Sequence, residues 1–215
     1  MTVFFTPARL AGAFAAGLLA VGCASAPDRY YTLASPAGAS PALATATAAA
    51  TTAPPPAGIE FAPVAVPERL ARPQMVLRRA GEGSAEVRVL EQHRWASSFE
   101  QELRDALSAG VAARLGAVDV TRGGRAQGQS VWRVSVQLQG FDAVEDGAVE
   151  ARMQWRLRRP DGSDAGACAW AATESAGAGI DALAQGAQRL TARAAQAIAT
   201  QIAGLQSGAV LRCAG

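Results

Sequence analysis

Apolar side chains recur at every second position in two neighbouring stretches. Trp132, Val134, Val136 and Leu138 alternate with Arg133, Ser135 and Gln137; further on, Val149, Ala151, Met153, Trp155 and Leu157 alternate with Glu150, Arg152, Gln154, Arg156 and Arg158. A period of two is that of a strand with one face buried and one wet, so both predict half-buried, antiparallel strands, the second ending at the turn residues Pro160-Asp161-Gly162. A third strand around 167–172 brings Cys168 and Trp170 to one face. Shorter extended runs fall at 74–79, at 86–91, and at 59–66, where Pro63 suits an edge strand.

Two stretches change period. Ser97-Ser98-Phe99-Glu100 has capping-box spacing, Ser at the N-cap and Glu three later, and opens a helix with Phe99, Leu103, Leu107 and Val111 on one face and Gly116 as its stop. A longer helix over 181–205 carries the stripe Leu183, Leu190, Ala194, Ile198 and Leu205. Strands interspersed with two main helices predict one α/β domain, with α+β as the variant: a mixed, partly antiparallel sheet with the helices packed on it.

Ahead of these patterns the chain divides twice. Residues 1–22 carry one charge, Arg9, then an apolar run over 10–21 that is too short to span a bilayer and has the charge order of a secretory signal peptide. The run closes on Ala20-Val21-Gly22-Cys23, which resembles the bacterial lipobox with Ala20 where leucine is preferred; the thiol of Cys23 would receive diacylglycerol and its amine an acyl chain. Three acyl chains at about 0.8 kcal/mol per buried CH₂ make a firm anchor, so the protein is expected tethered to a membrane without crossing it. Ala24 in place of Asp after the cysteine favours the outer membrane. The alternative is ordinary cleavage near Ala24 or Ala26, with Cys23 discarded. Residues 34–58 are almost wholly Ala, Thr, Pro, Ser and Gly, without charge. They predict a flexible tether, with an Ala-rich helix as the alternative; it would span about 28 Å as coil and about 78 Å as polyproline II. The organisation expected is a signal peptide over 1–22, a lipidated tether over 23–58 and a folded domain over 59–215.

Composition narrows the chemistry. Of 215 residues half are apolar, and 20 basic against 18 acidic side chains leave a charge of +2. Every basic residue is arginine, so a Walker P-loop and Schiff-base catalysis, which need lysine, are excluded. One histidine, His93, cannot build a multi-histidine metal site, and a near-neutral chain lacks the field that recruits nucleic acid. No cofactor, no metal and no catalysis are expected.

Few polar groups suggest a site. His93 beside Trp95 has no cysteine or second histidine nearby, and Trp95 reads as a core anchor; Glu102 and Asp105 read as a solvated helix face; Gly81-Glu82-Gly83 reads as a turn. Arg133, Arg152, Arg156 and Arg158, with Arg159 beside them, would share the outward face of two strands. That face is either simple solvated surface or a dock for acidic protein or lipid phosphates, which guanidinium binds bidentately. With Cys23 acylated, Cys168 and Cys213 remain as an even pair in an exported, oxidising setting and are predicted to form a disulfide.

Several words occur together: Tyr30-Tyr31-Thr32-Leu33 soon after Cys23, Val64-Ala65-Val66-Pro67-Glu68, Arg72-Pro73-Gln74-Met75-Val76-Leu77-Arg78, and Arg94-Trp95-Ala96 before a leucine-spaced helix. In this order they resemble the ABC-type transport auxiliary lipoprotein family, of the paraquat-inducible protein C type. The resemblance implies an outer-membrane lipoprotein on the periplasmic face that docks an MCE-domain protein of an ABC-type transporter, moves lipid between the membranes and supports envelope integrity. It also implies an α/β domain able to form homo-oligomeric rings, with phospholipid as a further ligand and no catalytic residues. The rival reading is a periplasmic ligand-binding or assembly lipoprotein unrelated to lipid transport.

Overall fold

The strongest alternation in the chain builds the centre of the sheet. The computed structural model describes residues 26–34, 57–79, 81 and 85–213. Its strands are β1 (Arg29–Tyr31), β2 (Gly58–Phe61), β3 (Gln74–Arg78), β4 (Val87–Trp95), β5 (Val118–Asp119), β6 (Val131–Val144), β7 (Ala148–Arg158) and β8 (Asp164–Ser175), with helices α1 (Phe99–Leu115) and α2 (Ile180–Gln206). They form one α/β domain around one mixed sheet of eight strands.

β6 organises the sheet. Along one edge it pairs antiparallel with β7, which pairs antiparallel with β8. Its other edge is shared end to end: β2 runs parallel to residues 131–134, Ala65 bridges Gln137, and β3 runs parallel to residues 143–144. β5 lies outside β2, while β4 and then β1 lie outside β3. The sheet therefore forks at β6. The stretch at 59–66 is thus not an edge strand: β2 sits between β6 and β5, and Pro63 falls beyond it, where Ala62 and Ala65 donate the bonds to Val134 and Val136.

Both helices pack on the inward face. Phe99, Leu103, Leu107 and Val111 of α1, and Leu183, Leu190, Ala194 and Ile198 of α2, are buried with Val134, Val136, Met153, Trp155 and Leu157 of the sheet. The cap of α1 is Ser98 rather than Ser97: its Oγ accepts the Gln101 N–H at 3.3 Å. Gly116 ends the helix in the left-handed region at φ 59°, a conformation glycine adopts without Cβ crowding. β8 is an edge strand, and α2 covers part of its open side: Arg193 donates to the Thr173 carbonyl and Arg189 to that of Ser175.

The domain begins earlier than residue 59. β1 extends the sheet beside the last residues of β4, Arg29 opposite His93 and Tyr31 opposite Trp95, and Leu33 is only 1% exposed. The Ala/Thr/Pro stretch therefore connects two strands of the domain instead of joining the domain to Cys23. A three-residue strand has no period to read, and its single deep apolar anchor, Leu33, borders a low-complexity segment. Residues 1–25, with the signal run and Cys23, and residues 35–56 lie outside the described residues.

Candidate functional site

Strand alternation turns every candidate arginine outward. Met153, Trp155 and Leu157 are buried, so Arg152, Arg156 and Arg158 between them are exposed, and Arg133 is exposed on the neighbouring β6. In register, Arg133 stands opposite Arg158 and Ser135 opposite Arg156, while Arg152 stands opposite Gly140 beside a bulge in β6. The guanidinium of Arg152 lies over Gly140, 3.2 Å from where a Cβ would stand, so any other residue there would push it aside by a few tenths of an ångström.

Two of the four arginines are neutralised. Arg133 donates from Nε to Glu60 at 3.0 Å, and Arg156 is ion-paired with Asp164. The Gly166 N–H, joined by the charges of Arg156 and Arg158, holds the Asp164 carboxyl below its usual range. Arg159 turns to the Asp164 carbonyl at 3.0 Å. Among the described residues Arg152 and Arg158 have no ion-pair partner; Arg158 stands between the like charge of Arg133 on β6 and Asp164 on β8, which Arg156 already holds. Two guanidiniums without ion pairs, near Ser135, Gln137 and Gln154, form a surface that gains from an incoming carboxylate or phosphate.

Below this face the predicted disulfide joins Cys168 of β8 to Cys213, 45 residues apart. It fastens the segment after α2 against the sheet, with Leu211 seated over Gly166. Replacing both cysteines by serine is expected to lower stability by up to about 4 kcal/mol on chain-entropy grounds, measured by urea unfolding against the wild type. Unfolding at the same midpoint would show that the bridge constrains nothing.

Elsewhere in the domain the fold assembles a cluster from residues far apart in the chain. The Tyr31 hydroxyl donates to Asp181 at 2.6 Å and lies 2.9 Å from His93 Nδ1, and the two rings stack at 5.8 Å. Because that hydroxyl has one hydrogen, already used on Asp181, His93 donates from Nδ1. Glu102 accepts from the Thr32 hydroxyl at 2.8 Å, the Leu33 N–H at 3.0 Å and Ser97 at 3.0 Å. Gln188 of α2 donates to the carbonyls of Thr32 and Ala34. His93 and Glu102 are thus not idle surface; they fasten residues 29–34 to the domain. Asp105 likewise holds Arg122 at 2.6 Å. Tyr31 lies 62 residues from His93 and 150 from Asp181, so no local motif announces the cluster. An open groove of about 910 Å³ runs beside this cluster, lined by Arg29, Tyr30, Tyr31, Asp181, Gln188 and Arg189.

Burial, and then the bond to Asp181, push the Tyr31 phenol from 10.0 up to about 12. Its stabilising contribution is fully present below 10.0 and is lost as pH rises through about 12. Tyr31→Phe is expected to remove the tyrosinate absorbance step near pH 12 and to flatten the loss of stability over that window; a step that survives in Tyr31→Phe would refute the assignment.

Among the described residues no three His, Cys, Asp or Glu side chains gather as metal ligands would, and no helix is long and apolar enough to cross a membrane. Residues 31–199 match the family described as the ABC-type transport auxiliary lipoprotein component. The chain belongs to that family. The match runs from the clustered Tyr31 to the buried Ala199 and so takes in β2 to β8, α1 and most of α2. A crystal structure of an uncharacterized protein superposes with a TM-score of 0.61 at 22% identity, covering 82% of this chain and 99% of that one. A crystal structure from Xanthomonas campestris superposes with a TM-score of 0.53 at 13% identity, covering 74% and 92%. At these identities the likeness is one of fold. No curated protein matches the chain.

Proposed function

We propose that this auxiliary lipoprotein is anchored through Cys23 in the outer membrane, on its periplasmic face. There it docks an MCE-domain protein of an ABC-type transporter that carries lipid between the membranes. It works by holding a partner, not by turning over a substrate. The observation that carries this reading is the pair Arg152 and Arg158: exposed, on one strand face, and without ion-pair partners among the described residues. A surface that keeps two cations unneutralised beside a third suits a partner bearing carboxylates or phosphates, held more weakly as salt rises.

Arg152→Glu with Arg158→Glu is the test. Both side chains are exposed, so the variant should unfold within about 0.5 kcal/mol of the wild type. Capture of the MCE partner should weaken at least about 100-fold, since two charge-assisted contacts of roughly 1.5–3 kcal/mol each are lost. Capture at wild-type strength would reduce the arginine face to solvated surface.

A further inference from the structure

The start of the domain fixes how far it can stand from its anchor. Cys23 lies only six residues before Arg29, the first residue of β1. Fully extended, that span covers at most about 21 Å. The Ala/Thr/Pro stretch adds nothing to this distance, because it follows β1 and leads into β2 of the same sheet.

Direction follows from register. β1 runs parallel to β4 with Arg29 opposite His93, so the chain before Arg29 heads back toward the start of β4. Six residues back along β4 from His93 is Val87, about 20 Å away at the rise of a strand. The lipid on Cys23 thus reaches, at most, about the level of Val87. Two valines are uncovered at this end, Val87 at 45% and Val89 at 38%, with Val76 half-buried opposite Val89, whereas at the other end of the sheet Val118 is 43% exposed. Among the described residues the charges beside them are paired, Arg79 with Glu86 at 3.0 Å and Arg88 with Glu145 at 2.8 Å. Paired charges cost less to bring near an apolar phase than single ones.

We infer that the β3–β4 end of the domain rests on the lipid bilayer, with Val87 and Val89 in contact with it. This rests on Cys23 being the acylated residue. The contact is apolar and stays when salt rises, unlike the arginine dock. It also sets the orientation of that dock. Along β6, Val144 lies level with Arg78, and so with Val87, whereas Arg133 lies eleven residues away toward the other end. Arg158, opposite Arg133, is thereby held up to about 36 Å from the bilayer, and Arg152, opposite Gly140, about 13 Å.

The test uses the full acylated chain in vesicles of phosphatidylethanolamine and phosphatidylglycerol. A single cysteine is introduced at Val87, or at Val118 as the control, and labelled with an environment-sensitive fluorophore; Val118 lies beside Gly58, which stands level with Val131 at the far end of β6. The native thiols do not compete, being acylated or bridged. At Val87 the emission should shift to the blue and be quenched at least twofold by spin-labelled lipid, in high salt as in low, with no change at Val118. Mass spectrometry of the same sample separates the two failures. An acylated Cys23 with an aqueous probe at Val87, or equal quenching at both positions, overturns the membrane contact alone; an unacylated Cys23 overturns the anchor and the contact together.

Discussion

Leu33→Ala is expected to lower the unfolding free energy by about 2–4 kcal/mol, the range for a buried leucine whose site cannot fully collapse. The residue lies two beyond the three-residue strand β1 and is 1% exposed. Its own N–H is held by Glu102, and the carbonyls on either side of it by Gln188. A truncation there removes contact with the core and loosens the point where the chain is fastened. Tyr30→Ala, three positions earlier and 63% exposed, should change stability by less than about 0.5 kcal/mol. Urea unfolding of the two variants separates a residue of the core from a residue of a tether. A Leu33→Ala midpoint equal to that of the wild type would return residues 29–34 to the tether.

Trp155→Ala should cost more, about 3–5 kcal/mol. Trp155 is 2% exposed, packs against Trp170 at 6.4 Å between ring centres, and donates from its indole to Gln201 at 2.6 Å. Gln201 is itself buried, and its amide nitrogen has no partner among the described residues. The indole therefore satisfies the one bond this glutamine makes inside the core. Trp155→Phe alone leaves that oxygen orphaned, at about 1–3 kcal/mol. Adding Gln201→Leu should recover part of the loss, because replacing both partners by apolar groups removes the unpaired atom. A double variant no more stable than Trp155→Phe would contradict this account of the pair.

What could be read in advance followed local period. β6 and β7 alternate so regularly that their inward and outward residues, the four outward arginines among them, needed no structure. The long apolar stripe of α2 likewise set its extent to within one residue at each end, from Ile180 to Gln206. Cysteine parity predicted the Cys168–Cys213 bridge. Features that depend on distant partners stayed hidden. β1 is short and polar, and it becomes a strand only because β4 supplies an edge for it. The Tyr31–His93–Asp181 cluster joins three elements far apart in the chain, so the lone histidine stood out in the sequence but its partners did not. The neutralisation of Arg133 by Glu60 and of Arg156 by Asp164 also came only with the register, and it moves the weight of the docking face onto Arg152 and Arg158.

The early start of the domain changes the geometry of the proposed task as well. A long tether would let the domain search the periplasm for its partner. With only five residues between Cys23 and β1, a domain anchored as proposed stays at the membrane and its partner has to reach it. The arginine face then marks where that partner ends its approach.

Site-specific photo-crosslinking in intact cells tests the docking claim most directly, with the reactive group placed at position 152 and, as a control on the same exposed strand face of the fold but beside the anchor, at position 87. The expected result is an adduct between position 152 and the MCE-domain protein of an ABC-type transporter, suppressed by Arg158→Glu, and lipid but no such protein at position 87. An MCE adduct that forms equally from both positions, or from neither while the transporter is present, would contradict the arginine face as the dock.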